Sequence, residues 1–541
     1  MDVSQAVGRT LVERGVRQAF GVVGSGNFHV TNALVEAGAR FVASRHEGGA
    51  ATMTDAYGRM SGEVAVLTVH QGCGLTNAMT GITEAAKSRT PMVVIAAQAT
   101  HPRSNFYVDQ EVLAHSVGAV PMRISSGGTA VAETTSAVDV ARRDRRTVIL
   151  NLPLDVQGEE VGDLGLPPPV SADPVTPSDA DLSLLVGALA AAERPVFVAG
   201  RGARGPGCRQ ALEELGEVSG ALLATSAVAK GLFNGNDWHL DVSGGFSSPL
   251  AAELIREADL IVGWGCALNM WTMRHGRLIG EGTRVIQVDD EPDAIGAQRP
   301  VAEGVIGDVK VTAEAAVALV GEPSDGYRSE QIRDRIAASI RWRDVPYEDT
   351  STGERIDART LTIAIDDMLP DERVLSVDSG NFMGYPSMFL SVPDEWGFCF
   401  TQAFQSIGLG LATAIGSALA QPDRLPVAAL GDGGGLMSIA ELETVVRLGL
   451  PMVVIVYNDD AYGAEVHHFG PDGYDLDNVV FPPTDIASIA RGFGFEAITV
   501  RNQSDLTPVS SWVDGARTKP LLIDAKVTSE ASWWLEEAFG H

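Results

Sequence analysis

Two short apolar runs, VAAL and PMVVIVY, flank a stretch in residues 427–463 where Leu436, Ile439, Leu442, Val446 and Leu450 keep helical spacing. Apolar runs without polar alternation are those of strands buried on both faces, and the spacing between them predicts an amphipathic helix. The unit reads strand, glycine turn, helix, strand, and a crossover of that kind makes the two strands parallel. Asp432, in the turn, and Asp459, after the second strand, then stand at the carboxyl edge of one sheet, where open α/β sheets bind ligands. The pattern has an echo. PMVVI at 451–455 also occurs at 91–95; Gly435-Leu436 begins 16 residues before the later copy and Gly74-Leu75 begins 17 before the earlier one. Two similar α/β domains in one chain are expected. In the echo Asp432 corresponds to Gln71 and Asp459 to Ala99, so only the C-terminal copy carries the two acids.

Punctuation divides the chain further. GLPPPVSADPVTPSDAD, residues 165–181, contains three consecutive prolines, which forbid helix and sheet. A second boundary falls in the charged stretch 322–355, with a helix expected over 331–343. The expected architecture is α/β with three doubly wound parallel-sheet domains, at residues 1–165, 180–325 and 350–541. In the middle one RPVFVAGRGARG places Gly200, Gly202 and Gly205 after a strand, a dinucleotide fingerprint in outline. Its expected acid about 20 residues onward is displaced into helical sequence near 213–217.

Composition narrows the class. A chain of 541 residues with 45% apolar content fills several cores, and a net charge of −30 argues against nucleic acid and anionic membrane as partners. No apolar run approaches the ~18 residues of a bilayer span, and MDVSQAVGRTL has no basic region followed by an apolar core, so a cytoplasmic protein is expected. Cys73, Cys208, Cys266 and Cys399 show no metal-ligand spacing and read as free thiols.

The candidate chemistry lies at strand ends. Two carboxylates converging from neighbouring strands suit Mg2+, and Gly433, Gly434 and Gly435 let backbone N–H groups approach a phosphate; a glycine turn with a capping aspartate fits the same pattern. Glu47 follows a strand expected at 41–43 and opens a helix, where an acid is also favoured by the helix dipole. FGVVGSGN, HQGCGLTNA and VDQE place Ser25, Asn27, His70 and Gln110 in loops after strands, positions that face substrates. For Ser25 and Asn27 a polar turn beside Gly24 and Gly26 is the competing reading. His70 is either structural or an acid/base working near neutral pH. Adjacent His467 and His468 cannot face one zinc ion from a helix.

GDG followed after 25 intervening residues by a polar residue at a strand end resembles the motif of thiamine diphosphate enzymes, and nearly the whole chain resembles the branch of acetolactate synthase, pyruvate oxidase and benzoylformate decarboxylase. That resemblance implies a pyrimidine-binding, a central Rossmann-like and a diphosphate-binding domain. It also implies Mg2+ held by Asp432, Asp459 and the carbonyl of Ala461, with Tyr462 and Gly463 continuing the metal loop. Asp459 stands where relatives usually present asparagine, so the site carries an extra negative charge. Glu47 would bond the aminopyrimidine N1′ and needs a dry pocket that raises its pKa. DSGNFMG would put Asn381 and Phe382 beside the diphosphate, Ile407 would lie beneath the cofactor, and Gln110 would orient a substrate oxygen. The implied activity is decarboxylation of a 2-oxo acid with transfer of the acyl unit to an acceptor, as in an acetolactate-synthase-like carboligase. Val69 to Gly74 departs from the synthase pattern, and His70 there is reminiscent of simple decarboxylases. The resemblance admits FAD in the middle domain, against which the displaced acid weighs; a nucleotide-binding oxidoreductase or sensor is the remaining class. Shared active sites in a homodimer or homotetramer are implied.

Overall fold

The computed structural model describes residues 1–162, 165 and 173–535, so the proline run at 167–169 lies outside the described residues. Short apolar segments bounded by turns become strands. β1 (Gln18–Gly21), β2 (Arg40–Ala43), β3 (Ala65–Val69), β4 (Met92–Gln98), β5 (Val120–Arg123) and β6 (Thr147–Pro153) form a parallel sheet in the order β2-β1-β3-β4-β6-β5. β7 (Pro195–Ala199), β8 (Leu222–Thr225), β9 (His239–Val242), β10 (Leu260–Trp264), β11 (Arg284–Asp289) and β12 (Glu303–Ile306) form a second, ordered β12-β11-β10-β7-β8-β9. The third joins β13 (Arg373–Val377), β14 (Phe398–Phe400), β15 (Leu425–Gly431), β16 (Val453–Asn458), β17 (Glu496–Val500) and β18 (Leu521–Lys526) as β14-β13-β15-β16-β18-β17. The first and third sheets share one strand order, the structural counterpart of the PMVVI echo, whereas the middle sheet has the dinucleotide-fold order.

Helices cover the sheets, as parallel strands buried on both faces require; every residue of β4 and of β16 is buried. The first and third domains share a core in which Ala50, Met53 and Ile82 pack with Leu411, Ile415 and Leu442. Small residues make that junction possible. The helix Glu47–Ser61 crosses the helix Gly410–Ala420 so closely that a Cβ on Gly416 would lie 2.3 Å from the Met53 carbonyl oxygen.

The helix expected after the glycine turn is broken. Asp432–Met437, a 3-10 turn Ile439–Glu441 and Leu442–Arg447 replace one continuous helix, and Leu436 and Met437 face outward. Three successive glycines carry little helix propensity, and the Ser438 hydroxyl turns back to the Gly434 carbonyl, which bends a helix. The linker helix also stops early, at Ser339 rather than 343, because Trp342 turns away to donate its indole N–H to the Phe246 carbonyl at 2.6 Å.

Candidate active site

β15 and β16 are parallel with Gly431 opposite Tyr457, so Asp432 and Asp459 emerge side by side at the carboxyl edge. β13, on the other flank of β15, delivers Asp378 and the loop to Met383, at the point where the strand order reverses and a crevice opens. Asp432 is the first residue of its helical turn and is 7% exposed. Burial, with the neighbouring Asp459 charge, pushes its carboxyl up to about 7; burial pushes Asp459 to about 6, with Arg355 pulling the other way. Two adjacent acids, Asp432 buried and Asp459 half-buried, left without a full countercharge are a site that gains by taking a cation.

The third acid of the loop is neutralised. Asp460, in a left-handed conformation at φ 58°, pairs with Arg355 at 2.6 Å, and Arg355 also donates to the carbonyls of Asn458 and Val527. Tyr462 donates its backbone N–H to Val479 and packs edge-on against Phe481, which fixes the far side of the loop. The glycines permit close approaches by neighbouring side chains that a Cβ would block. A Cβ on Gly433 would lie 2.5 Å from the Tyr462 ring, one on Gly463 2.5 Å from Asp459 Oδ2, and one on Gly434 2.4 Å from Asp378 Oδ2. Two hard carboxylates at the mouth of a glycine cradle fit a metal diphosphate.

These residues face a cavity of about 1470 Å³ that also admits Asn381, Phe382, Ile407, Ala461, Tyr462 and Gly463. Asn381 is tied down: its side chain donates to the Glu530 carbonyl at 2.7 Å and accepts from Ser532 N–H at 2.9 Å, and its carbonyl accepts from the Trp534 indole N–H at 2.8 Å. Phe382 stacks on Tyr457 beneath the glycine turn. Asp378, unremarked in the sequence, is fully buried; burial pushes it up to about 6, while it accepts from the N–H groups of Ser379, Gly408 and Leu409. Its DSG setting, an acid directly after a strand, was the available signal.

The N-terminal candidates form a separate group at the carboxyl edge of the first sheet. Glu47 opens its helix and accepts from Asn77 Nδ2 at 3.1 Å. It is half-buried and does not line the cavity, so the dry pocket expected around it is not closed by this chain. His46 caps the same helix, accepting from Gly48 N–H, and Glu441 of the third domain accepts from the N–H groups of Arg45 and His46. Neither Asn77 nor Glu441 stood out in the sequence. His70 lies 3.3 Å from the Ser25 hydroxyl through Nε2, with Nδ1 3.1 Å from the Gln71 carbonyl. A proton on Nδ1, donated to that carbonyl, leaves Nε2 as the acceptor facing Ser25.

Asn27 and Gln110 turn inward. Asn27 is fully buried, donating to Thr68 Oγ1 at 2.6 Å and the Val22 carbonyl while accepting from Gly24 N–H, so its side chain holds the turn. Gln110 is 1% exposed and donates to Asn151 Oδ1 at 2.7 Å, with Oε1 buried and without a partner among the described residues. Neither lines the cavity. His467 and His468 share the helix Gly463–Phe469 and lie outside it too, and no metal-holding cluster of three His, Cys, Asp or Glu occurs among the described residues. All four cysteines are free thiols, and no described helix is long and apolar enough to cross a membrane.

The glycine turn of the middle domain has a packing explanation. Gly200 and Gly202 donate their N–H groups to the carbonyls of Trp264 and Gly265, and a Cβ on either would strike the 265–266 backbone. Arg201 reaches the Ser88 carbonyl, and Arg204 donates to the Arg59 carbonyl while lying 4.4 Å from the Trp396 ring centre. The turn fastens the three domains together, and the two amides that would approach a phosphate are already engaged.

Comparison with known proteins completes the picture. Models of the thiamine pyrophosphate enzymes match residues 1–118 (N-terminal TPP binding domain), 182–316 (central domain) and 378–525 (C-terminal TPP binding domain). The sulfoacetaldehyde acetyltransferase of Rhodobacter capsulatus is 28% identical, covering 98% of this chain and 95% of its own. A "probable 2-ketoarginine decarboxylase" of Pseudomonas aeruginosa is 30% identical over 94% and 90%, and the acetolactate synthase large subunit of Parasynechococcus marenigrum 25% over 91% and 82%. The solved thiamine diphosphate-dependent 4-hydroxybenzoylformate decarboxylase of Rhodococcus jostii shares the fold, with TM-score 0.81, 22% identity and coverage of 98% and 100%.

Proposed function

The chain belongs to the thiamine pyrophosphate enzyme family, and from that premise we propose that it uses thiamine diphosphate and Mg2+ to decarboxylate a 2-oxo acid and pass the remaining acyl unit to an acceptor. The observation that carries this reading is the Asp432–Asp459 pair at neighbouring strand ends, Asp432 buried and Asp459 half-buried, facing a cavity that Gly433, Gly434 and Gly463 also line. Asp432, Asp459 and the Ala461 carbonyl would hold Mg2+, an ion that prefers oxygen ligands and keeps phosphate oxygens in its shell. Asn381 and Phe382 would offer backbone N–H groups to the diphosphate, and Ile407 an apolar support.

When bound, thiamine diphosphate supplies a nucleophilic carbon and a sink for the electrons that CO2 leaves behind. Glu47 would hold a proton against N1′ of the aminopyrimidine ring and return it, steadied by Asn77. That task needs water excluded, and a second copy of the chain laid over the exposed edge around Glu47 would do so; a homodimer or homotetramer with shared sites follows. His70, with Nε2 toward the Ser25 hydroxyl, would trade a proton at the substrate.

Transfer to an acceptor is favoured by the resemblance to an acetyltransferase and to acetolactate synthase. Simple decarboxylation is a second reading, favoured by the Ser25–His70 pair and by the relative named a decarboxylase. Titration calorimetry with thiamine diphosphate and Mg2+ tests the common core: heat of binding with Mg2+ and none without it is expected, and none in either case ends the proposal. Products from pyruvate and from an aromatic 2-oxo acid separate the readings. Condensed or acyl-transferred product supports transfer, and aldehyde alone overturns it.

A further inference from the structure

The loop 401–409, which carries Ile407 to the cavity, hangs between two buried carboxylates from different domains. At its far end Asp378 accepts from Gly408 and Leu409 N–H at 3.0 and 3.2 Å. At its near end Glu84, on the helix Cys73–Lys87 of the first domain, accepts from Ala403 N–H at 2.9 Å and Phe404 N–H at 2.6 Å. Between the anchors Gln405 adopts a left-handed φ of 62°, a conformation that a side-chain-bearing residue keeps only when both flanks are fixed.

Glu84 is fully buried and is held on its other side by Arg59 at 2.7 Å. Arg59, 8% exposed, also bonds Asp55 at 2.9 Å and the Phe400 carbonyl at 3.0 Å, so it grips the strand from which the loop departs. Burial would raise the Glu84 carboxyl, yet Arg59 and the two loop amides hold it below the ordinary range. It is an ionised acceptor, and two backbone N–H groups make it a strong one.

We propose that Glu84 is a positioning residue that sets the height of the 401–409 loop, and so of Ile407, against the cavity. This rests on the cofactor reading of that cavity only for its consequence in binding; the clamp itself is tested without cofactor. Glu84→Gln offers the loop one acceptor oxygen where two stood and leaves Arg59 with Asp55 as its carboxylate partner among the described residues. Glu84→Asp keeps the charge opposite Arg59 and withdraws the carboxylate from the loop, a gentler variant should the first unfold.

Amide hydrogen exchange by mass spectrometry on metal-free protein is the measurement, with β15 as an internal report of global stability. At Ala403 and Phe404 about tenfold faster exchange is expected in Glu84→Asp, the effect of losing one charge-assisted hydrogen bond, with β15 unchanged. Exchange unchanged at both residues, or raised equally in β15, overturns the clamp. In the cofactor arm, wild-type protein that binds no thiamine diphosphate sinks the functional reading and leaves the exchange result standing. Where the wild type binds, Glu84→Asp should weaken retention of thiamine diphosphate about tenfold, and unchanged retention overturns the positioning role.

Discussion

At the scale of single residues, Glu47 and Asp459 differ in how much they depend on their surroundings. Among the described residues Glu47 has one side-chain partner, Asn77, and lies at an edge, so Glu47→Gln preserves size and that hydrogen bond while removing the ionisable proton. The fold should survive. General acid–base catalysis contributes about 10²–10⁴-fold, and a drop of that order in cofactor C2 proton exchange, followed by NMR, is expected; an unchanged rate would remove Glu47 from the chemistry. Asp459 is the opposite case. Burial and the company of Asp432 make its charge a liability in the metal-free protein. Asp459→Asn should therefore raise metal-free stability in urea denaturation by about 1 kcal/mol, while Mg2+ stabilises the variant less than the parent. Equal stability would mean that Arg355, already paired with Asp460, compensates both acids.

Elements were legible where one rule governed them. β16 reads from the sequence because six consecutive residues are buried and five are apolar, whereas the helix after Asp432 does not, since Leu436 keeps helical spacing yet points outward once the glycines break the turn. The candidate site split along the same line. Asp432, Asp459 and the metal loop follow from strand ends, which local pattern places; Asn27 and Gln110 share that setting but turn inward to Thr68 and Asn151, a choice made by contacts 41 residues away in each case. Glu84 and Glu441 were silent because their roles lie in backbone amides that any sequence supplies. Helix packing gives a direct test. At Gly416 an alanine would gain about 1 kcal/mol of helix propensity, but its Cβ meets a backbone oxygen at 2.3 Å, and overpacking of that kind costs about 1–3 kcal/mol. Gly416→Ala should lower the unfolding midpoint; a rise would show that the two helices part without cost.

Across the whole molecule, the acid pair lines the large cavity and Glu47 does not. The cavity takes in the second and third domains and the rim of the first, but not Glu47, Ser25 or His70. The two domains already share a core through Met53 and Ile415, so swinging one over the other to close the gap would break that core. Under the proposed shared-site assembly, a second copy of the chain would bring the same surfaces together at no such cost, each subunit lending Glu47 to its partner's acid pair. Complementation tests this. Glu47→Gln and Asp432→Ala chains, each inactive alone, should regain about a quarter of parental activity when co-expressed in equal amounts, because half of randomly paired dimers are mixed and each mixed dimer holds one site with neither substitution. Sites built within single chains would give no recovery at any ratio, since every chain then carries a lesion in its own site. Sequential affinity capture on two different tags, one on each variant chain, confirms that mixed dimers were present to be assayed.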